Sequence, residues 1–376
     1  MRIAFHINQL SERGCELALF DYCHYSQALL DHEPVVFYPR DSAANDALII
    51  DRFSRHFDLI PYRHFSQVDD YIDRLDIDLF YAIKGGEVDG IYSRRVPTMI
   101  HAVFAQTPLE LHGCSYAFVS EWLSRKCSLS LVPAVPHIVH PPSHVDPMSL
   151  RALLGIPDHA TVFSCYGGEN SFDIGFVRDQ VIPSVLELRD DIYFTFMNFG
   201  CFIDHPRVFF LPKSTDLAFK QQFVAAADAM LHARRQGESF GLACAEFSAQ
   251  GKPIFSYRDT PDRHHHYILS RSISLYAHSA DLIDQLLAFD RNAAPPCGVR
   301  AYLERYQPEA VMESFDRYLI RPALRAGLTG TAFTVFTQPW RRPLSPWIRG
   351  GFWNLQIILR RLRKMLGLAF AMVRIK

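Results

Sequence analysis

The hydrophobic positions of this chain fall into short apolar runs that alternate with longer stretches of helical spacing. In the first part, five runs predict strands: "RIAFHIN", "EPVVFYP", "DLFYAI", "PTMIHAVF" and "YAFVS". The stretches "CELALFDYCHYSQALL" and "VDDYIDRL" between them have helical spacing. This alternation is typical of an α/β protein with parallel sheets.

A second series of the same kind follows a proline-dense stretch at 132–147, which predicts a linker. Its strand candidates are "ATVFSCYGG", "IYFTFMNFG", "RVFFLP", "AMLHAR" and "PIFSY", separated by helical stretches such as "GLACAEFSAQ". We therefore predict two Rossmann-like domains, 1–147 and 148–325, that face a central cleft. Sheets of this type bind ligands at the carboxyl ends of their strands, so the cleft is the expected site.

Composition narrows the class of protein. The chain has 376 residues, and 49% of them are hydrophobic, which suits two globular domains and excludes a disordered chain. The eight cysteines are scattered without a C-x-x-C pair, which fits a reducing compartment better than a disulfide framework or a zinc site. The start "MRIAFHINQL" resembles a strand more than a signal peptide, so we expect a cytoplasmic protein.

The near-neutral net charge conceals an uneven distribution of basic and acidic residues along the chain. Twelve of the 39 basic residues follow Asp316, but none of the 40 acidic residues does. We assign 326–376 to a basic amphipathic tail, in which Arg360, Arg361 and Arg363 share one arc of a predicted helix with Lys364. Such a segment favours peripheral binding to an anionic membrane; alternatively, the helix packs on the acidic body. No nucleic-acid-binding module is evident, so we expect no nucleic acid.

Two glutamates stand out in "HARRQGESFGLACAEFSAQGKPIFSY", which spans 232–257. The pattern places Glu238 on a loop between a strand and a helix, and Glu246 within that helix. The backbone around Phe240, Gly241 and Leu242 would then offer unpaired helix N-terminal amides, which favour phosphate. Two carboxylates that bind hydroxyls around a phosphate site suit a nucleotide-sugar. Taken alone, however, two glutamates at this spacing are just as compatible with solvated surface positions.

The same segment resembles the signature E-x-F-G-x4-E-x4-G-x-P of the retaining glycosyltransferases with two Rossmann-like domains, grouped as family 4 or glycosyl transferases group 1. The resemblance implies the glycosyltransferase B type of fold and transfer of a sugar from a nucleotide-sugar. It also implies that Glu246 binds the ribose hydroxyls and that Glu238 meets the sugar hydroxyls. The backbone of Phe240, Gly241 and Leu242 would bind the diphosphate.

Two residues of the first domain join the expected site. His101 ends an apolar strand, where the family resembled has a histidine that faces the transferred sugar, so we take His101 and Glu238 as candidate catalytic residues. The alternative for His101 is a packed histidine with satisfied hydrogen bonds. Gly14 follows the first strand, and a glycine there permits close approach of the backbone to a ligand.

The chain departs from the family at one point. An Arg/Lys pair that neutralises the diphosphate is expected after the first strand of the second domain, but "SCYGGENSFDIGFVR" has no basic residue before Arg178. Arg234 and Arg235 are the expected substitutes, with Lys213 as a third candidate. We assign no metal: His264–His266 lack the spacing of a zinc site and are expected to form a loop near the cleft.

The sequence leaves the function open between three hypotheses. The first is a glycosyltransferase that needs no metal cofactor and acts on a glycan or lipid-linked acceptor. The second is a nucleotide-sugar epimerase of the same fold. The third is a nucleotide-sugar-binding or scaffold protein with weak catalysis, which the missing Arg/Lys pair suggests.

Overall fold

The short apolar runs form two fully parallel sheets in a computed structural model that describes residues 1–106, 109–143, 145–214 and 216–328. All of these residues belong to one compact unit. The strands β4, β5, β6 and β10 are buried along their whole length, as expected when helices cover both faces of a parallel sheet.

The first sheet has the order β3-β2-β1-β4-β5-β6, the doubly wound order of a Rossmann-like domain. Its strands are β1 (Arg2–His6), β2 (Glu33–Pro39), β3 (Asp58–Tyr62), β4 (Leu79–Lys84), β5 (Thr98–Ala102) and β6 (Ser115–Phe118). Its helices are α1 (Gly14–Leu30), α2 (Ala47–Ser54), α3 (Val68–Arg74), which follows a 3-10 turn (Phe65–Gln67), and α4 (Glu121–Ser128).

The second sheet has the order β14-β12-β10-β7-β8-β9, which repeats the topology of the first. Its strands are β7 (Thr161–Tyr166), β8 (Ile192–Met197), β9 (Val208–Leu211), β10 (Ala229–His232), β12 (Ile254–Tyr257) and β14 (Ile273–Tyr276), with β11 (Gly237–Glu238) and β13 (Asp262–Arg263) paired beside it. The helices around it are α5 (Pro147–Leu153), α6 (Ile182–Leu188), α7 (Leu217–Ala226), α8 (Leu242–Ala249), α9 (His264–Leu269) and α10 (Ser279–Leu287), with a π turn (Val177–Val181) before α6 and a 3-10 turn (Ser270–Ser272) after α9.

The last described helices return to the first sheet. After α11 (Ala301–Arg305), the chain forms α12 (Pro308–Phe315), a π turn (Asp316–Ile320) and α13 (Arg321–Ala326). The ring of Phe315 stacks on Phe5 of β1, and Ser115 of β6 donates a hydrogen bond to the carbonyl of Leu319. The sequence assigns residues up to 325 to the second domain, whereas the apolar face of α12 is buried against the first.

The predicted tail is described only as far as residue 328, so the expected amphipathic helix lies outside the described residues. The stretch "QPEAVMESFDRYL", which has helical spacing, forms α12 and the π turn after it. Along the part of the chain that the structure describes, no helix is both long enough and apolar enough to cross a membrane.

Candidate functional site

The carboxyl edges of the two sheets meet, and polar contacts join them at three points. Lys126 Nζ, after β6, lies 2.6 Å from Asp262 Oδ1, after β12. Ser120 donates a hydrogen bond to the carbonyl of Ser239. A further ion pair, described below, joins the loops after β2 and β9. The loops that follow the strands of each sheet therefore face the other domain, as a ligand site between two Rossmann-like domains requires.

The N-terminus of α8 lies between these edges without a side-chain cap. It begins at Gly241, whose φ of +89° is a left-handed conformation that favours glycine. Among the described residues, the amides of Gly241, Leu242 and Ala243 donate to no protein acceptor. The positive end of the helix dipole and these free donors make this end of α8 suited to an anion.

Gly14 approaches this helix end from the opposite domain. A Cβ atom placed on Gly14 would lie 3.3 Å from Leu242 Cδ1, which is tighter than an ordinary contact. The first turn of α1 and the first turn of α8 are therefore adjacent. The sequence predicts that Gly14 approaches a ligand, and the structure places it beside the uncapped end of α8.

Glu238 is held in place by two nitrogen donors. Its Oε1 lies 3.2 Å from His232 Nε2, at the end of β10, and its Oε2 lies 3.0 Å from Arg234 Nη1. Burial by itself would raise the pKa of Glu238, but the hydrogen bond from His232 and the charge of Arg234 outweigh it and hold the pKa below the ordinary value. The carboxylate is thus ionised at neutral pH.

Glu246 lies within α8, beyond the residues with free amides. Its Oε1 lies 3.3 Å from Lys220 Nζ, and its Oε2 accepts a hydrogen bond from the phenol of Tyr166. The Lys220 ammonium also lies 4.9 Å from the centre of the Tyr166 ring. The Glu246 side chain is 35% exposed, so a ligand can reach it, whereas that of Lys220 is only 7% exposed.

Glu246 lies within α8, as predicted, whereas Glu238 lies in the short strand β11 before it, where the sequence predicts a loop. Phe240 contributes differently at its two ends. Its ring is buried against His137 and His264, and its carbonyl accepts a hydrogen bond from Tyr302. These contacts fix the backbone that precedes the free amides.

The three predicted substitutes for the Arg/Lys pair do not lie together, and each contacts a different group. Arg234 pairs with Glu238, and Arg235 has an exposed side chain while its amide donates to Asp173. Lys213 Nζ lies 2.8 Å from Asp46 and 3.7 Å from Glu12, so it joins the two domains. Of these three cations, only Arg234 contacts one of the paired glutamates.

His101 is fully buried at the end of β5. Its Nε2 lies 2.8 Å from the carbonyl of Val135 and therefore carries the hydrogen, which leaves Nδ1 to accept from the Tyr81 hydroxyl at 2.7 Å. Burial lowers the pKa of His101 to about 4, so the ring is neutral. Both nitrogens are occupied, as in the alternative of a packed histidine, and contact with a sugar would require these bonds to break.

His264–His266 form the first turn of α9, where the sequence predicts a loop. The reason is packing: the ring of His264 stacks on Phe240, and His265 Nε2 lies 2.9 Å from Ser256 Oγ. Within the described residues, no group of three or more His, Cys, Asp or Glu side chains is arranged to hold a metal ion.

Two residues of the site were missed by the sequence reasoning. Lys220 gives only the faint signal of a lone lysine in the apolar helix "LAFKQQFVAA". His232 ends a strand that leads directly to the glutamate motif, a position comparable to that of His101 in its own domain. Both contact a glutamate whose importance the sequence does predict.

Comparison with solved structures supports the fold. No family model and no curated protein sequence matches the chain. HepE of Anabaena, solved with UDP-glucose, aligns at 14% identity over 84% of this chain and 98% of its own, with a TM-score of 0.61. A glycosyltransferase from Rickettsia africae aligns at 10% identity over 91% of this chain and 99% of its own, with a TM-score of 0.59.

A third structure is WaaG, a glycosyltransferase involved in lipopolysaccharide biosynthesis. It aligns at 14% identity over 84% of this chain and 99% of its own, with a TM-score of 0.52. At these identities the likeness is one of fold. The chain has the two-domain, glycosyltransferase B type of fold that the sequence predicts.

Proposed function

We propose that this protein is a retaining glycosyltransferase that moves a sugar from a nucleotide-sugar to an acceptor hydroxyl. One observation carries the proposal: the uncapped N-terminus of α8 lies at the edge where the two domains meet and is flanked in sequence by Glu238 and Glu246. Its free amides suit a diphosphate, and a carboxylate on either side suits the hydroxyls at the two ends of a nucleotide-sugar.

In this arrangement Glu246 binds the ribose hydroxyls, the role that the family resemblance implies, and its 35% exposed side chain leaves it open to a ligand. Glu238 binds the sugar hydroxyls, and the backbone of Phe240, Gly241 and Leu242 binds the diphosphate. Gly14 lets the acceptor-side domain approach the same point. His101 remains a candidate catalytic residue that would act only after its present hydrogen bonds are exchanged.

We propose that the negative charge of the diphosphate is stabilised without a metal cofactor. The free amides of α8 and the Arg234 side chain, which is 35% exposed, are available for it in the described site. We expect nucleotide-sugar binding to survive treatment with EDTA. A loss of binding that added Mg²⁺ or Mn²⁺ restores would show that a cation is required.

For the acceptor we propose a glycan or lipid-linked molecule, and for the location the cytoplasmic face of a membrane. The basic tail of the sequence supports this, as does the fold likeness to WaaG, whose own process is lipopolysaccharide biosynthesis. Sedimentation with anionic liposomes at low salt tests the location. A protein that stays entirely in the supernatant contradicts it.

A thermal-shift screen with UDP-, GDP- and ADP-sugars tests the proposed function. We expect at least one nucleotide-sugar to raise the melting temperature, because a ligand that binds only the folded state stabilises it. If none of the nucleotide-sugars raises the melting temperature, the proposed glycosyltransferase function is contradicted.

A second experiment separates the alternative functions. The nucleotide-sugar that binds is incubated with the protein in the absence of acceptor, and interconversion of sugars then indicates an epimerase. Binding without turnover on any acceptor indicates a binding or scaffold protein.

A further inference from the structure

Three histidines surround the hydroxyl of Ser256 directly behind Glu238. Ser256 Oγ lies 2.9 Å from His232 Nδ1, 2.9 Å from His265 Nε2 and 3.4 Å from His266 Nε2. The rings are also in contact, with centres 4.8 Å apart for His232 and His265. We call these four residues the histidine–serine cluster. It connects to Glu238 through His232 Nε2.

With a neutral His232 ring, one assignment of hydrogens makes the contacts of His232 and His265 hydrogen bonds. An ionised Glu238 can only accept, so His232 Nε2 carries the hydrogen and its Nδ1 accepts from the Ser256 hydroxyl. The hydroxyl oxygen then accepts from His265 Nε2. This leaves His265 Nδ1 bare, and that atom indeed has no partner among the described residues.

Ser256 is not a nucleophile in this arrangement, although a serine, a histidine and a glutamate follow one another as in a hydrolase triad. Ser256 and His265 are fully buried, and His232 is 3% exposed, so no substrate reaches the hydroxyl. Burial lowers the pKa of His265 far below its ordinary value and that of His266 to about 4, so neither contributes a positive charge at neutral pH. The cluster therefore acts through hydrogen bonds on the side of Glu238 that faces away from solvent.

We propose that His232 is a positioning residue: fixed by Ser256 and His265, it aims the Glu238 carboxylate at the sugar of the nucleotide-sugar. This inference rests on the proposed function. A carboxylate held by His232 on one oxygen and Arg234 on the other cannot rotate freely, so its remaining lone pairs have a set direction before the donor arrives. Removing the His232 contact weakens binding of the sugar more than binding of the nucleotide.

The test compares His232→Leu with His232→Gln. The glutamine amide can donate to Glu238 from nearly the position of Nε2, whereas leucine cannot. For each protein, calorimetry gives the Kd of UDP-glucose and of UDP, or of whichever pair the thermal-shift screen identifies. We expect the preference for the nucleotide-sugar to fall about tenfold or more in His232→Leu, with nucleotide affinity within about threefold of wild type, and to recover in His232→Gln.

His6→Leu is the matched control for loss of a buried histidine, since His6 bonds Tyr62 in the first sheet at 2.7 Å. An unchanged sugar preference in His232→Leu overturns the proposal, as does an equal loss of nucleotide and nucleotide-sugar affinity. If wild-type protein binds no nucleotide-sugar, the proposed function fails and the inference with it. If wild type binds but His232→Leu keeps the preference, only the inference fails.

Nitrogen-15 NMR of wild-type histidines gives a second measurement that does not depend on the variants folding. Nitrogen shifts distinguish a protonated from a bare ring nitrogen. A neutral His232 with the hydrogen on Nε2 supports the proposal. A neutral His232 with the hydrogen on Nδ1 overturns it, because such a ring cannot donate to Glu238.

Discussion

Glu238 and Glu246 belong to one short motif but are held in different ways. Glu238 is 17% exposed and bonded to His232 and Arg234, and a buried cluster of histidines stands behind it. Glu246 is twice as exposed and bonded to Lys220 and Tyr166, contacts that an incoming hydroxyl can replace or share. The difference shows two ways in which a carboxylate can be made ready to bind a ligand. Its orientation can be fixed by buried hydrogen bonds, or it can keep accessible partners that ligand hydroxyls replace.

The sharpest test of this comparison is Glu246→Ala. Two hydrogen bonds from ribose hydroxyls to a carboxylate are worth ~3 kcal/mol or more together, so nucleotide affinity should fall about 100-fold or more. The thermal shift caused by nucleotide should disappear at concentrations that stabilise wild type. An unchanged Kd for the nucleotide removes Glu246 from the site.

Glu238→Ala should weaken binding of the sugar rather than binding of the nucleotide. The nucleotide should still bind within about fivefold of wild type, while the additional affinity of the nucleotide-sugar should fall ~30-fold, the loss of hydrogen bonds to one charged group. Transfer activity should fall with it. Calorimetry with nucleotide and nucleotide-sugar measures both. If both glutamate variants lose nucleotide affinity equally, the two carboxylates do not divide the ligand as we propose.

Acid should destabilise the fold in part through the histidines behind Glu238, alongside other buried histidines such as His101. His265 and His266 are neutral in the fold because burial lowers their pKa values, to about 4 for His266. Below about pH 6.5 the unfolded chain binds protons that the folded chain does not. The free energy of unfolding should therefore fall as pH decreases from about 6.5 towards 4, by up to ~1.4 kcal/mol per pH unit for each such histidine.

Urea unfolding at a series of pH values checks this expectation. His266→Gln should have a shallower pH dependence than wild type by up to one proton. His24→Gln, which changes an exposed histidine of α1, is the control. An equally steep dependence in His266→Gln shows that the acid sensitivity arises elsewhere.

The smallest expected effect is that of Lys220→Met, which keeps the apolar length of the side chain but removes the charge beside Glu246. A partly buried ion pair contributes ~1 kcal/mol, so nucleotide affinity should weaken about fivefold. Lys252→Met is the matched control, since Lys252 is also largely covered but donates to the carbonyl of Ala225 instead. Equal effects of the two variants indicate a general loss of stability.

The sequence predicts five of the six strands in each large sheet, but not their order. The strands that it misses there, β3 and β14, each lie at one edge of their sheet, and it also misses the short pair β11 and β13. An edge strand is covered less completely than a central one, so it needs no continuous apolar run, and β3 is buried only at its last residue. Central strands such as β4, buried throughout, are evident in the sequence.

The site likewise contains residues that the sequence predicts and residues that it does not. Glu238, Glu246 and the backbone around Gly241 are adjacent in the sequence, so local spacing predicts them. Lys220 reaches Glu246, and Ser256 reaches His232, only through the packing of α7 and β12 against neighbouring elements. No local spacing encodes contacts of that kind. The ion pair of Lys213 with Asp46 joins residues 167 positions apart and was equally out of reach.

The return of α12 to the first sheet has a consequence for the order of events during synthesis. Phe315 packs among Phe5, Tyr22 and Tyr81, so the core of the first domain includes a side chain from near the end of the described chain. The second domain, in contrast, has all its strands by Tyr276. Domains usually complete folding from the N-terminus onward as the ribosome releases them. In this chain, the first domain is synthesised first but cannot complete its core until Phe315 has been synthesised.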